Sequence, residues 1–241
     1  MQHIHFMTGS ARFARAVLAA VLPAALSVEA ARAQLPTIGA PTPLVLNFEP
    51  LTTAAGCDDN TISVYGGLTW TGWGAINSPY CGNLGGGLPL NGFWYGATSG
   101  VNVGYIQLPP FSDPFGGLSA EIAFGGGTFD LLDAWLTAAW TTGLDVSVLG
   151  YNGATLVGTR NFRLDYTAPT LATFDLHGIT SARFSTRGGT PRFELGGLGN
   201  ILVMDDLSVV RRDAAVVPEP ATLLLVASGL VVVAVTVRRR R

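Results

Sequence analysis

Between Gln34 and Val217 the chain is cut into short apolar, β-branched runs that recur about every 8–15 residues, separated by Gly, Asn and Pro. Runs this short favour strands over helices, and their regular spacing points to an all-β sandwich or barrel. The candidate strands are Leu44–Phe48, Ile62–Trp70, Val101–Leu108, Leu118–Phe124, Asp130–Trp140, Leu144–Tyr151, Thr155–Leu164, Leu171–Leu176, Ile179–Thr186 and Ile201–Val210. Leu144, Val146 and Val148 alternate with Asp145 and Ser147, so one face of that strand is predicted buried and the other wet. Asn152-Gly153 after it suits a tight two-residue hairpin turn with positive φ. Asp130–Trp140 carries two readings. Leu131, Trp135 and Leu132, Leu136 have helical spacing, but the flanking Gly125–Gly127 and Gly143 read as turns between strands.

Charge narrows the function classes. The chain has no lysine, which excludes Schiff-base chemistry and a lysine-type phosphate loop. Seven of the 14 basic residues, all arginine, lie outside Gln34–Val217; that stretch holds seven arginines against 14 carboxylates, a formal −7. Such a balance opposes nucleic-acid binding, which needs a basic face to neutralise phosphates. Apolar residues make up 48% of the chain, so the high glycine content does not signal a disordered polymer.

Both ends read as addresses. Arg12 and Arg15 precede the apolar run Ala16–Leu26, and Ala31-Arg32-Ala33 is a small-x-small cleavage site. This predicts a signal peptide over 1–33 and a mature start at Gln34; the competing reading is an uncut anchor, for which the run is short of the ~20 residues of a span. At the other end, Val217-Pro218-Glu219-Pro220 precedes an uncharged stretch from Ala221 to Val237 and then Arg238 to Arg241. The 17 uncharged residues fit a short transmembrane helix, and the arginines would hold its end in the cytoplasm with the domain outside. The predicted organisation is a signal peptide (1–33), a linker (34–42), a β-sandwich (43–212) and a sorting tail (213–241).

The order of motif, apolar helix and arginine cluster resembles the PEP-CTERM sorting signal of Gram-negative bacteria. That resemblance implies recognition by a membrane-embedded exosortase, removal of the tail near the motif, and release to the cell surface or to an extracellular matrix that accompanies exopolysaccharide. An ordinary single-pass tail anchor is the alternative.

A second resemblance lies in the domain. Leu46-Asn47-Phe48-Glu49, Gly67-Leu68-Thr69-Trp70, Phe129-Asp130-Leu131 with Leu136–Trp140, and Val203-Met204-Asp205-Asp206-Leu207 follow one another in that order. The pattern is similar to a jelly-roll, galactose-binding-like domain related to carbohydrate-binding modules. Asp205 shares its parity with Ile201, Val203, Leu207 and Val209, which places a carboxylate on a face predicted to be buried, while Asp206 is predicted to point away. The resemblance implies a partner for it: a structural Ca²⁺ shared by Glu49, Asp205 and Asp206. A carboxylate capped by backbone amides or by an arginine such as Arg211 is the other reading. Asp58-Asp59-Asn60 is a further oxygen cluster, read as a turn.

Cys57 and Cys81 are the only cysteines, and both fall in the exported part, so they are predicted to pair. Trp94-Tyr95 is read as a loop-borne platform for stacking on a sugar ring, whereas Trp70, Trp135 and Trp140 are read as core. His177 is the only histidine of the mature chain and is read as a solvated turn residue. No nucleophile elbow, HExxH or Cys/His constellation is present, so the chain is expected to be a non-enzyme. A glycan-binding module is the runner-up, and a secreted hydrolase stands third.

Overall fold

The computed structural model describes residues 42–51, 57, 60–108 and 116–213. The predicted signal peptide, the sorting tail and Asp58-Asp59 lie outside them. The described chain forms an all-β sandwich, as its punctuation predicts, of the jelly-roll class that the resemblance implies. Its strands are β1 (Leu44–Leu46), β2 (Asn60–Tyr65), β3 (Leu68–Asn77), β4 (Asn102–Ile106), β5 (Leu118–Ala123), β6 (Gly127–Ala138), β7 (Thr141–Thr142), β8 (Leu144–Asn152), β9 (Thr155–Leu164), β10 (Thr170–Ile179), β11 (Ser181–Arg187), β12 (Thr190–Pro191) and β13 (Leu202–Asp213). Two five-residue helices, α1 (Ser78–Gly82) and α2 (Gly92–Gly96), interrupt the path between β3 and β4.

The main sheet runs β10-β6-β13-β4-β3-β5-β11-β8-β9, with β1 on β13 and β2 on β3. Every pairing in it is antiparallel. Strand β3 joins the two layers. Its first half pairs β5 through Thr69–Thr71, and its second half pairs β4 through Trp73–Asn77. Between the halves sits Gly72 with φ +75°, a conformation that lets the strand turn a corner without a Cβ clash.

An aromatic spine fills the space between layers. Phe162 of β9 meets Phe174 of β10 at 5.6 Å, Phe174 meets Phe184 of β11 at 5.8 Å, Phe184 meets Trp73 at 5.2 Å, and Trp73 meets Trp70 at 5.6 Å, all edge to face. This geometry sets the positive ring edge on the negative ring face. Leu144, Val146 and Val148 are buried as their alternation predicts.

Several local expectations are corrected. Ile62–Trp70 is two strands, because Gly66 and Gly67, both at positive φ, turn the chain into a hairpin. The two-residue loop after β8 is Gly153-Ala154, not Asn152-Gly153, since Asn152 already pairs with Thr155. Gly153 has φ +57° and Ala154 is not at positive φ, which matches a II′ turn with glycine first. Asp130–Trp140 was expected as a strand, and β6 bears this out as far as Ala138, laddering with β13 and β10; Ala139 and Trp140 lie beyond its end. Trp135 is only half-buried, unlike Trp70 and Trp140. His177 lies within β10, which continues to Ile179, and is not in a turn between strands.

Candidate functional site

The segment Ser78–Val101 forms a cap between β3 and β4, and it gathers most of the residues singled out for chemistry. Asn77 caps α1 by accepting from the Tyr80 N–H, and Asn91 caps α2 by accepting from the Phe93 N–H at 2.9 Å. The Asn91 amide also donates to the Cys81 carbonyl at 2.7 Å, so one buried side chain ties the two helices together. Ser78 Oγ donates to the Phe93 carbonyl at 2.7 Å. Gly82 lies so close to the Trp94 backbone that a Cβ there has no room. Cys81 of α1 is bonded to Cys57, the pairing expected of the two exported thiols.

Beneath the cap, Phe93 stands edge to face on Tyr105 (5.7 Å) and on Trp140 (5.5 Å). Trp94 and Tyr95, the next two residues of α2, keep 40% and 36% of their surface exposed. The proposed sugar platform therefore sits on a helix rather than a loop, with its backbone held from two sides.

Carboxylates hold the far end of the cap. Glu49 Oε1 accepts from the Val101 and Asn102 N–H groups, both at 2.7 Å. Asp205 Oδ2 accepts from the Thr98 and Ser99 N–H groups, both at 2.8 Å, and its Oδ1 accepts from the Asp206 N–H at 2.8 Å. Asp206 Oδ1 accepts from Ser99 Oγ at 2.6 Å. Asp206 was expected to point away from Asp205. It does not, because φ +50° at Asp206 and a register shift between Asp205 and Ser208 turn both carboxylates toward the same loop. Asp205 is fully buried, as its parity predicts. Burial pushes its carboxyl up to about 6; the Ser99 and Thr98 amides oppose that, and the Asp206 charge adds to it.

These contacts bear on the expected Ca²⁺ ligands. Asp205 Oδ2 and Glu49 Oε1 each accept from two N–H donors and Asp205 Oδ1 from one, so part of their acceptor capacity is taken. Among the described residues no three His, Cys, Asp or Glu side chains converge on one point. The amide donors meet part of the buried charge of Asp205, as the capped-carboxylate reading of the sequence has it.

A second cluster was not legible in the sequence. Asp130, with its side chain 4% exposed, accepts from Arg212 Nη2 at 2.5 Å and from Arg212 Nε at 3.2 Å. It also accepts from the Gly178 N–H at 2.9 Å and faces His177 Nδ1 at 3.4 Å. His177 Nε2 reaches Asp175 Oδ1 at 2.7 Å. Burial opposes the Asp130 charge, but Arg212, the Gly178 amide and His177 outweigh it and hold the carboxyl below its ordinary range. Asp175 first, then Asp130, raises His177 above its ordinary value. The signal that could have found this cluster is the pairing of Val210 with Asp130, which no local pattern shows.

Residues 216–241 match the family described as the PEP-CTERM protein-sorting motif. No curated protein matches the chain. The K2 cleaved adhesin domain of Lys-gingipain is a similar solved structure: 14% identical, TM-score 0.40, spanning 70% of this chain and all of that one. TmCBM61, solved in complex with beta-1,4-galactotriose, is 10% identical with a TM-score of 0.34, over 69% of this chain and 94% of that one. A family 16 carbohydrate-binding module is 15% identical with a TM-score of 0.28, over 58% of this chain and 86% of that one. Such values transfer neither a residue role nor a ligand.

Proposed function

We propose that this chain, which carries a PEP-CTERM sorting motif, is an exosortase-processed protein that places a non-catalytic β-sandwich at the cell surface or in the exopolysaccharide matrix of a Gram-negative bacterium. The observation that carries the reading is the tail itself. Its motif at Val217–Pro220 precedes an apolar stretch and four arginines, in the order a sorting signal needs. The precursor is held in the inner membrane by that stretch until it is cut. A disulfide across the cap supports an oxidising destination. A structural role accords with where two buried carboxylates go: Asp130 is held by Arg212, and Asp205 by the Thr98 and Ser99 amides.

The test is replacement of Pro218-Glu219-Pro220 by alanines. The uncut full-length chain should then accumulate in the inner membrane, read by fractionation and immunoblot. Normal release of that variant would sink the assignment.

A second reading, glycan binding, is favoured by one observation: Trp94 and Tyr95 are both exposed on a helix whose backbone is fixed. A sugar ring stacks on such an exposed indole because its apolar C–H patch meets an electron-rich face. Trp94→Ala should therefore weaken retardation in affinity gels cast with the host polysaccharide. Wild-type protein that migrates alike in every glycan gel removes this reading and leaves the structural one.

A further inference from the structure

The last strand of the domain leads directly into the sorting tail, and that junction is built. Arg211, Arg212 and Asp213 of β13 pair with Phe129, Thr128 and Gly127 of β6. Only Ala214, Ala215 and Val216 separate Asp213 from the motif at Val217. Four Cα steps reach at most about 14 Å. A folded domain of this size has a radius of gyration of about 15 Å, so its bulk is wider than its tether is long. A membrane-embedded enzyme that works at the motif must therefore come within that reach of the end of β13. Each residue peeled from β13 would add about 3.4 Å of reach.

Peeling is opposed at one point. Arg212 is the main cation on Asp130, whose side chain is 4% exposed, with the Gly178 N–H and His177 backing the same carboxylate. If Arg212, itself half exposed, leaves, the buried Asp130 carboxylate loses its principal partner, which adds to the cost of opening the strand end. Arg211 adds a weaker hold, with its guanidinium 6.0 Å from the Phe124 ring centroid.

We propose that the Asp130–Arg212 contact is a latch that keeps the end of β13 closed and thereby gates access of the processing enzyme to the sorting motif. The proposal rests on the sorting reading. It assigns the latch a kinetic role: the precursor is cut at the rate at which β13 releases its last three residues. His177 acts as a positioning residue, its Nδ1 facing the same Asp130 Oδ2 that Arg212 Nη2 holds.

The experiment follows conversion of the full-length precursor by pulse-chase in an exosortase-bearing host. Arg212→Gln, which keeps length and polarity but removes the charge, should speed conversion several-fold. A six-residue Gly-Ser insertion after Asp213, which lengthens the tether and leaves the latch intact, should do the same. With the insertion in place, Arg212→Gln should add little, because the enzyme no longer needs the strand to open. Plain destabilisation would instead act equally with and without the insertion, and that result overturns the latch. Unchanged conversion in both single variants overturns it as well. A wild-type precursor that is never converted, like the Pro218-Glu219-Pro220 alanine variant, overturns the sorting reading and the latch with it.

Discussion

Replacing Cys57 and Cys81 by serine should lower the stability of the domain by ~3–4 kcal/mol. The bond closes a loop across 24 residues of sequence separation, with Cα atoms 5.1 Å apart. Its weight comes from what it fastens. The cap contains two helices of five residues each, far below the ~12–15 residues at which an isolated helix begins to hold in water. Their order depends on Asn91, on the contact of Phe93 with Tyr105 and Trp140, and on the bond at Cys81. The expected result is a shifted denaturant midpoint, with amide exchange rising first over residues 78–96. Equal midpoints for the wild type and the double serine variant would show that the bond constrains nothing. The same loss under reductant should weaken glycan binding, if Trp94 and Tyr95 bind glycan, because their helix is held through the cap.

What the sequence made legible was whatever is local and periodic. Leu144, Val146 and Val148 alternate with polar neighbours over one strand, and that alone places them inside. The tail was legible for the same reason: motif, apolar stretch and arginines are contiguous. The failures share the opposite property. The Ile62–Trp70 run hid a hairpin, because Tyr65 and Leu68 are both apolar and only the glycines between them mark the turn. His177 looked like a turn residue because glycine follows it, yet the β10 ladder with β6 carries the strand past it through two irregularities. The parity argument found Asp205 buried but misdirected Asp206, since one left-handed residue in a strand breaks the period of two on which parity rests. The contacts of Glu49 with Val101 and Asn102 span about fifty residues, and no window of sequence shows them.

The buried carboxylate at Asp205 should leave a distinctive mark on the pH dependence of stability. Its carboxyl sits at about 6 in the folded chain, against ~3.9 when unfolded. Between those values the folded protein holds a proton that the unfolded chain lacks. The contribution is therefore fully present below about pH 4 and lost as pH rises through about 6, an amount of ~3 kcal/mol for two units. This is opposite in sense to Asp130, whose carboxyl is held low and whose contribution disappears as pH falls. A difference curve isolates the former. In Asp205→Asn the side-chain oxygen can still accept from the Thr98 and Ser99 amides, while the new NH₂ faces the Asp206 N–H and forfeits one bond. The variant is neutral throughout, so its stability relative to wild type should improve by ~3 kcal/mol between about pH 4 and pH 8. A flat difference curve would mean that Asp205 ionises as an exposed carboxylate does. The same measurement decides the calcium question. With amides as the answer to its charge, wild type should melt alike in chelator and in about 1 mM Ca²⁺, whereas an ion held with a dissociation constant of tens of micromolar would add ~2 kcal/mol by mass action. A calcium-dependent rise that Asp205→Asn abolishes would replace the clamp with an ion site. Without that rise, Asp205 is a structural acceptor whose cost of burial is offset by the loop it holds in place.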